Sequence, residues 1–143
     1  LVVCAGFTGS IDRIMAIVKK AQWNIVKIDG RGWLTDLPHV KDDEAMIEAF
    51  QDPQKRIPRM VVIMHPKSGG MGLTLTASPA VVYWSNDFDF ESRAQSEDRI
   101  HRPGIDMNRG ATIIDMFHLP SDRKTFDNLK AKKRLQDLTM ADI

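Results

Sequence analysis

Five short apolar runs constrain this 143-residue chain more than any other feature. They are Leu1–Ala5, Ile25–Ile28, Met60–Met64, Ala80–Trp84 and Ala111–Met116. Each is continuous rather than alternating, the pattern of strands covered on both faces, and such strands belong mostly to parallel sheets. Between most of them lie segments with helical spacing. Ile11, Ile14, Met15 and Val18 recur at i, i+3, i+4 and i+7 within Ser10–Lys20. Asp42–Phe50 has acidic residues in its first turn and is stopped at Asp52-Pro53. Phe90–His101 and Ser121–Leu138 complete the helices, and the stretch around Gly32 and Pro38 reads as a loop after the turn pair Asp29-Gly30. Strand–helix alternation predicts an α/β fold: a doubly wound, mainly parallel sheet flanked by helices, one domain over residues 1–143.

Composition narrows the function classes. The chain is 43% hydrophobic and 27% charged, the balance of a packed globular domain rather than a disordered one. No apolar run approaches the ~18 residues of a membrane span, so no membrane partner is expected. Net charge is +1, which excludes a polycationic nucleic-acid coat but leaves room for a local basic groove. The lone Cys4 is expected to be a reduced, buried core thiol. His39, His65, His101 and His118 are too scattered for a metal cluster, and no metal ligands are assigned. Trp23, Trp33, Tyr83 and Trp84 are expected to pack. The chain opens inside a strand, without an initiator Met or targeting segment, so it reads as a cytoplasmic piece of something longer.

Ligands of such folds bind beyond the carboxyl ends of the strands. Two segments there are unusual. The first, His65–Thr76, holds Gly69, Gly70 and Gly72 within four residues. Such glycines permit close backbone approach and a nest of N–H groups around an anion, with Lys67, Ser68 and Thr74 as further donors. A tight connecting loop is the competing reading, and no Gly-Lys-Ser/Thr makes this a Walker A loop. The second, Gln95–Gly104, sets Gln95, Arg99 and Arg102 at i, i+4 and i+7, on one helical face. Guanidinium suits a phosphoryl group because it is planar, permanently charged and can hold two oxygens. A solvated basic face with Glu97 and Asp98 as ion-pair partners is the competing reading. The last helix adds six basic residues, from Arg123 to Arg134, which suit either solvent or a phosphate backbone.

In combination these segments resemble one family. Phe7-Thr8, Ile28-Asp29-Gly30, Ser68-Gly69-Gly70-Met71-Gly72-Leu73-Thr74-Leu75-Thr76 and Gln95-x-x-Asp98-Arg99-x-His101-Arg102-x-Gly104 follow the order of the second RecA-like lobe of superfamily-two helicases of the Swi/Snf type. The likeness covers nearly the whole chain, including the bridge Tyr83–Phe90. Departures are Thr74 where the family usually has Asn, Ile105 where Gln follows motif VI, and Phe88-Asp89-Phe90 in place of Trp-Asn-Pro. The compact length is similar to phage or bacterial members.

The resemblance implies an ATP-dependent DNA helicase or translocase whose nucleotide lies between two lobes. ATP and Mg²⁺ would be held mainly by the N-terminal lobe, which these residues do not include, and this lobe would supply arginine fingers. Carried over residue by residue, the catalytic set is Arg99, Arg102 and Gln95, and the nucleotide set is Gly70, Gly72 and Asp98. Thr8, Gly30, Lys67, Ser68 and Gly69 would face DNA, duplex or branched. The partners implied are the N-terminal lobe and DNA, with the fragment itself a monomer and inactive alone. The rival readings are a non-catalytic nucleotide- or phosphate-binding module and an RNA helicase lobe.

Overall fold

The computed structural model describes residues 1–68, 73–86, 89–101 and 110–141. Its elements run β1 (Val2–Cys4), α1 (Thr8–Lys20), β2 (Asn24–Asp29), β3 (Gly32–Thr35), α2 (Asp43–Gln51), β4 (Met60–Met64), β5 (Ala80–Tyr83), α3 (Phe90–Asp98), β6 (Thr112–Asp115) and α4 (Pro120–Ala141). The six strands form one sheet in the order β3-β2-β4-β1-β5-β6. Every neighbouring pair is parallel except β2 with β3. The doubly wound α/β expectation therefore holds.

Both faces of β1, β2 and β4 are covered, which is why these strands read as unbroken apolar runs. β6, whose apolar run also predicts a covered strand, is instead an exposed edge with Ile113 38% and Ile114 44% exposed, because its apolar run reflects strand propensity and not burial. Val3 and Ala5 of the β1 segment, Ile25, Val61 and Ile63 pack with Ile11 and Ile14 of α1 on one face. Val2, Cys4, Val26, Ile28, Val62 and Met64 point to the other, where Met46, Ala49 and Phe50 of α2 close over them with Leu75 and Ile100. Cys4 is fully buried, as expected. Burial pushes its thiol up to about 12, against the opposing pull of the nearby Arg93 and Arg99 charges.

Three further expectations need correction. The stretch after Asp29 is not all loop: Gly30-Arg31 turns the chain and Gly32–Thr35 returns antiparallel to β2. Gly32 adopts φ +103°, a region that L side chains rarely enter, so this position favours glycine. The strand escaped notice because it is a sheet edge with alternating exposure and only four residues long. Secondly, α3 ends at Asp98 rather than His101. Thirdly, Trp23 is 37% exposed rather than packed, whereas Trp33 and Trp84 lie against the two cores. Among the described residues, no helix is long and apolar enough to cross a membrane.

Candidate nucleotide and nucleic-acid face

Parallel pairing sends the carboxyl ends of β1, β2, β4 and β5 to one edge. There the Gly6 N–H donates to Ser85 Oγ at 3.1 Å and the His65 N–H donates to the Ile28 carbonyl at 2.9 Å. Thr8, Gly30, Lys67 and Ser68, four positions from three separate segments, thus follow strands that end at this edge. Thr8 and Gly30 are exposed. Thr8 opens α1, whose N-cap position is Phe7; the helix has no side-chain cap and no acid in its first turn. By contrast, α2 is capped by Asp42 and α3 by Asp89, each accepting an N–H from three residues on at 2.8 Å.

The His65–Ser68 turn is built locally and tied to α3 twice. Lys67 N–H donates to His65 Nδ1 at 3.0 Å, and Ser68 N–H to the His65 carbonyl at 2.9 Å. The Lys67 ammonium meets Asp89 Oδ2 at 2.8 Å. Hydrogen bonds from Lys67 and then from Ser92 hold the Asp89 carboxyl well below the usual range. The second tie is Arg99, only 5% exposed, whose Nη1 donates to the Ser68 carbonyl at 2.8 Å and reaches Met64 Sδ at 4.0 Å. The Arg99 carbonyl accepts from the Leu75 N–H at 2.9 Å.

Gln95 and Arg99 do not share an open polar face. Gln95 is exposed, with Nε2 3.3 Å from Glu91 Oε1, while the buried Arg99 side chain turns inward onto the carbonyl of the part-buried Ser68. Asp98 is exposed and lines a cavity between α3 and α4 with Phe90, Glu97 and Phe126, a lining that includes neither Ser68 nor Arg99. Gly69, Gly70, Gly72, Phe88 and Arg102 lie outside the described residues. Among the described residues, no three His, Cys, Asp or Glu side chains converge as metal ligands would.

One residue of this region escaped the sequence reading. Arg93 is buried, 3.4 Å above the Tyr83 ring, and bonds Asn86 Oδ1 (2.5 Å), Asp115 (2.6 and 3.1 Å) and Glu97 (2.6 Å). Burial works against its charge, but Asp115 and Glu97 outweigh that and raise it. It joins β5, β6 and α3, and Lys133 of α4 lies 3.7 Å from the second Glu97 oxygen. The only advance signal was its i,i+4 spacing to Glu97.

Comparison with known proteins decides the kinship. Helicase ssl-1 of Caenorhabditis elegans is 32% identical over 106 residues, 71% of this chain and 4% of that protein. The chromatin-remodeling ATPase INO80 of Saccharomyces cerevisiae is 25% identical over 135 residues, 93% of this chain and 8% of that protein. The C-terminal part of the Fun30 ATPase domain superposes with a TM-score of 0.68 at 22% identity, covering 88% of this chain and 37% of that one. In sequence and fold the chain is similar to the C-terminal lobe of Swi/Snf-type helicases. No family model matches the chain. This lobe spans less than a tenth of the two relatives' lengths, and both are eukaryotic proteins rather than phage or bacterial ones.

Proposed function

We propose that this lobe is the C-terminal half of an ATP-driven DNA translocase or helicase motor, working against an N-terminal RecA-like lobe that binds ATP and Mg²⁺. The observation that carries the reading is the convergence of Thr8, Gly30, Lys67 and Ser68 on one sheet edge, with Arg99 tying α3 to Ser68. Thr8, Gly30, Ser68 and Arg99 match family motifs and Lys67 adjoins one, and their convergence is what a two-lobed motor needs at its cleft.

In this reading Thr8, Gly30, Lys67, Ser68 and Gly69 face the DNA backbone. The uncapped, acid-free amino end of α1 favours an anion there. Nucleotide binding is assigned to Gly70 and Gly72, and stabilisation of charge on the transferring phosphoryl group to Arg102. In related enzymes an arginine finger is worth roughly 10³–10⁵ in rate. Arg99 acts mainly by holding Ser68, whose carbonyl its guanidinium already binds. Gln95 remains available at the surface for nucleotide coupling, and Asp98 is the least supported of the carried-over positions.

These 143 residues contain no Walker A sequence and no Asp-Glu-x-His, so no ATP turnover is expected from them alone. In the protein carrying both lobes, Arg102→Ala should abolish DNA-stimulated hydrolysis while nucleotide binding survives. Near-normal turnover in that variant, or turnover by the isolated lobe, would overturn the assignment. Hydrolysis stimulated by RNA and not by DNA would transfer the reading to the RNA class.

A further inference from the structure

The β2–β3 turn carries a charge arrangement centred on Arg31, a residue outside the family motifs. Arg31 stands at its tip, and its guanidinium presents two edges. The inner edge, Nε and Nη2, donates to Asp29 Oδ2 at 3.1 and 2.6 Å. That carboxylate is anchored: its side chain is 1% exposed, Lys27 Nζ lies 3.0 Å from Oδ1, and the Arg31 N–H donates to Oδ1 at 2.8 Å. The outer edge, Nη1 and Nη2, donates to the two oxygens of Asp12 on α1 at 3.2 and 2.7 Å.

The two edges differ in how readily they exchange partners. Freeing Arg31 from Asp29 would leave a buried carboxylate short of a partner, which is costly. Asp12 is 55% exposed and meets an arginine that is 46% exposed, a class of ion pair that water and salt loosen easily. Two adjacent guanidinium N–H groups on two oxygens of one anion is also how arginine takes a phosphate. Asp29 therefore orients a phosphate-binding fork, and Asp12 fills it.

We propose that Arg31 clamps a backbone phosphate of bound DNA, with Asp12 as the internal carboxylate that the phosphodiester displaces. The assignment rests on the DNA reading above and extends it to a residue outside the motifs. Free phosphate shares the chemistry, but a strand also presents neighbouring phosphates to the amino end of α1, one turn before Asp12.

The test is fluorescence anisotropy of this chain with a labelled DNA duplex at about 50 and 200 mM salt, with inorganic phosphate as competitor. Asp12→Asn should tighten binding about three- to tenfold, the scale of releasing one charge-assisted fork. Arg31→Ala should weaken binding and reduce the salt slope by about one. The double variant should bind like Arg31→Ala alone. DNA binding indifferent to both substitutions, or a double variant that keeps the gain, overturns the clamp and leaves the DNA reading intact. No binding by any of the proteins overturns both. Phosphate competing as well as duplex, at equal phosphate concentration, overturns the assignment to a strand. Asp12→Asn changes only an exposed carboxylate, so its result stands even if Arg31→Ala unfolds the protein.

Discussion

Arg99 grips Ser68. Its Nη1 lies 2.8 Å from the Ser68 carbonyl while its own carbonyl takes the Leu75 N–H at 2.9 Å, so one residue holds both flanks of residues 69–72. Motifs that are 31 residues apart in sequence are thereby one mechanical unit. A change at the end of α3 must be felt at both Ser68 and Leu75.

Arg99→Ala should therefore cost stability as well as activity. Leaving the Ser68 carbonyl without its donor costs ~1–3 kcal/mol. Urea unfolding of the lobe, followed by circular dichroism, should show the midpoint falling. An unchanged midpoint would show that the Arg99–Ser68 tie carries no net energy.

Arg93→Ala should be the more damaging change. It removes the guanidinium that joins Asp115 to Glu97 and uncovers the Tyr83 ring. Breaking a buried ion network by removing one partner typically costs ~3–5 kcal/mol. The same urea titration reads the loss, and a cost below that of Arg99→Ala would contradict this ranking.

Phe7 offers a test in which stability and binding move in opposite directions. Phe7→Asp supplies the side-chain cap that α1 lacks and should stabilise the lobe by ~1 kcal/mol. The added carboxylate at the same end should weaken duplex binding. Thermal melts and anisotropy on one sample decide it; stronger binding would remove α1 from the DNA face.

Acid stability should depend on Asp29. Burial pushes its carboxyl upward, but the hydrogen bonds from Arg31 and Lys27 prevail and bring it down to about 2 from an ordinary 3.8. A group whose folded value is depressed stabilises the fold above the unfolded value and loses that contribution as pH falls through the folded one. Unfolding free energy should fall between about pH 4 and pH 2. Asp29→Asn should be less stable at neutral pH and show a shallower fall across that window. Parallel curves for the two proteins would refute the linkage.

Cys4 should be chemically silent in the native state. Its thiol is fully buried and held at about 12, so little thiolate forms at pH 8. Disulfide-exchange reagent should label it only after denaturant is added. Labelling at a free-thiol rate without denaturant would mean that the β1 core opens far more often than its packing allows.

Much of the fold was legible because burial on both faces leaves a direct trace. Val61-Val62-Ile63 can only be a covered strand, and Ile11, Ile14 and Val18 can only be one side of a helix facing it. β3 left no such trace: Gly32-Trp33-Leu34-Thr35 is an edge with half-exposed side chains, and its strand character comes from pairing with β2. Among the site residues, Arg99 was legible as a polar helix position, but its inward direction was not. A guanidinium at i+4 from Gln95 looks solvent-facing until the Ser68 carbonyl, supplied by the loop after β4, is brought beneath it.

The sequence by itself determined the α/β class, the succession of apolar strands along the chain and the two polar segments at their carboxyl ends, since local periodicity and turn chemistry encode each of these. Only the tertiary structure decided which charges meet. Arg31 became bound to both Asp12 and Asp29, Lys67 to Asp89, and Arg93 to Asp115, 22 residues away. Charge pairing depends on distances of about 3 Å between groups brought together by sheet register, and register is a property of the whole core rather than of any segment.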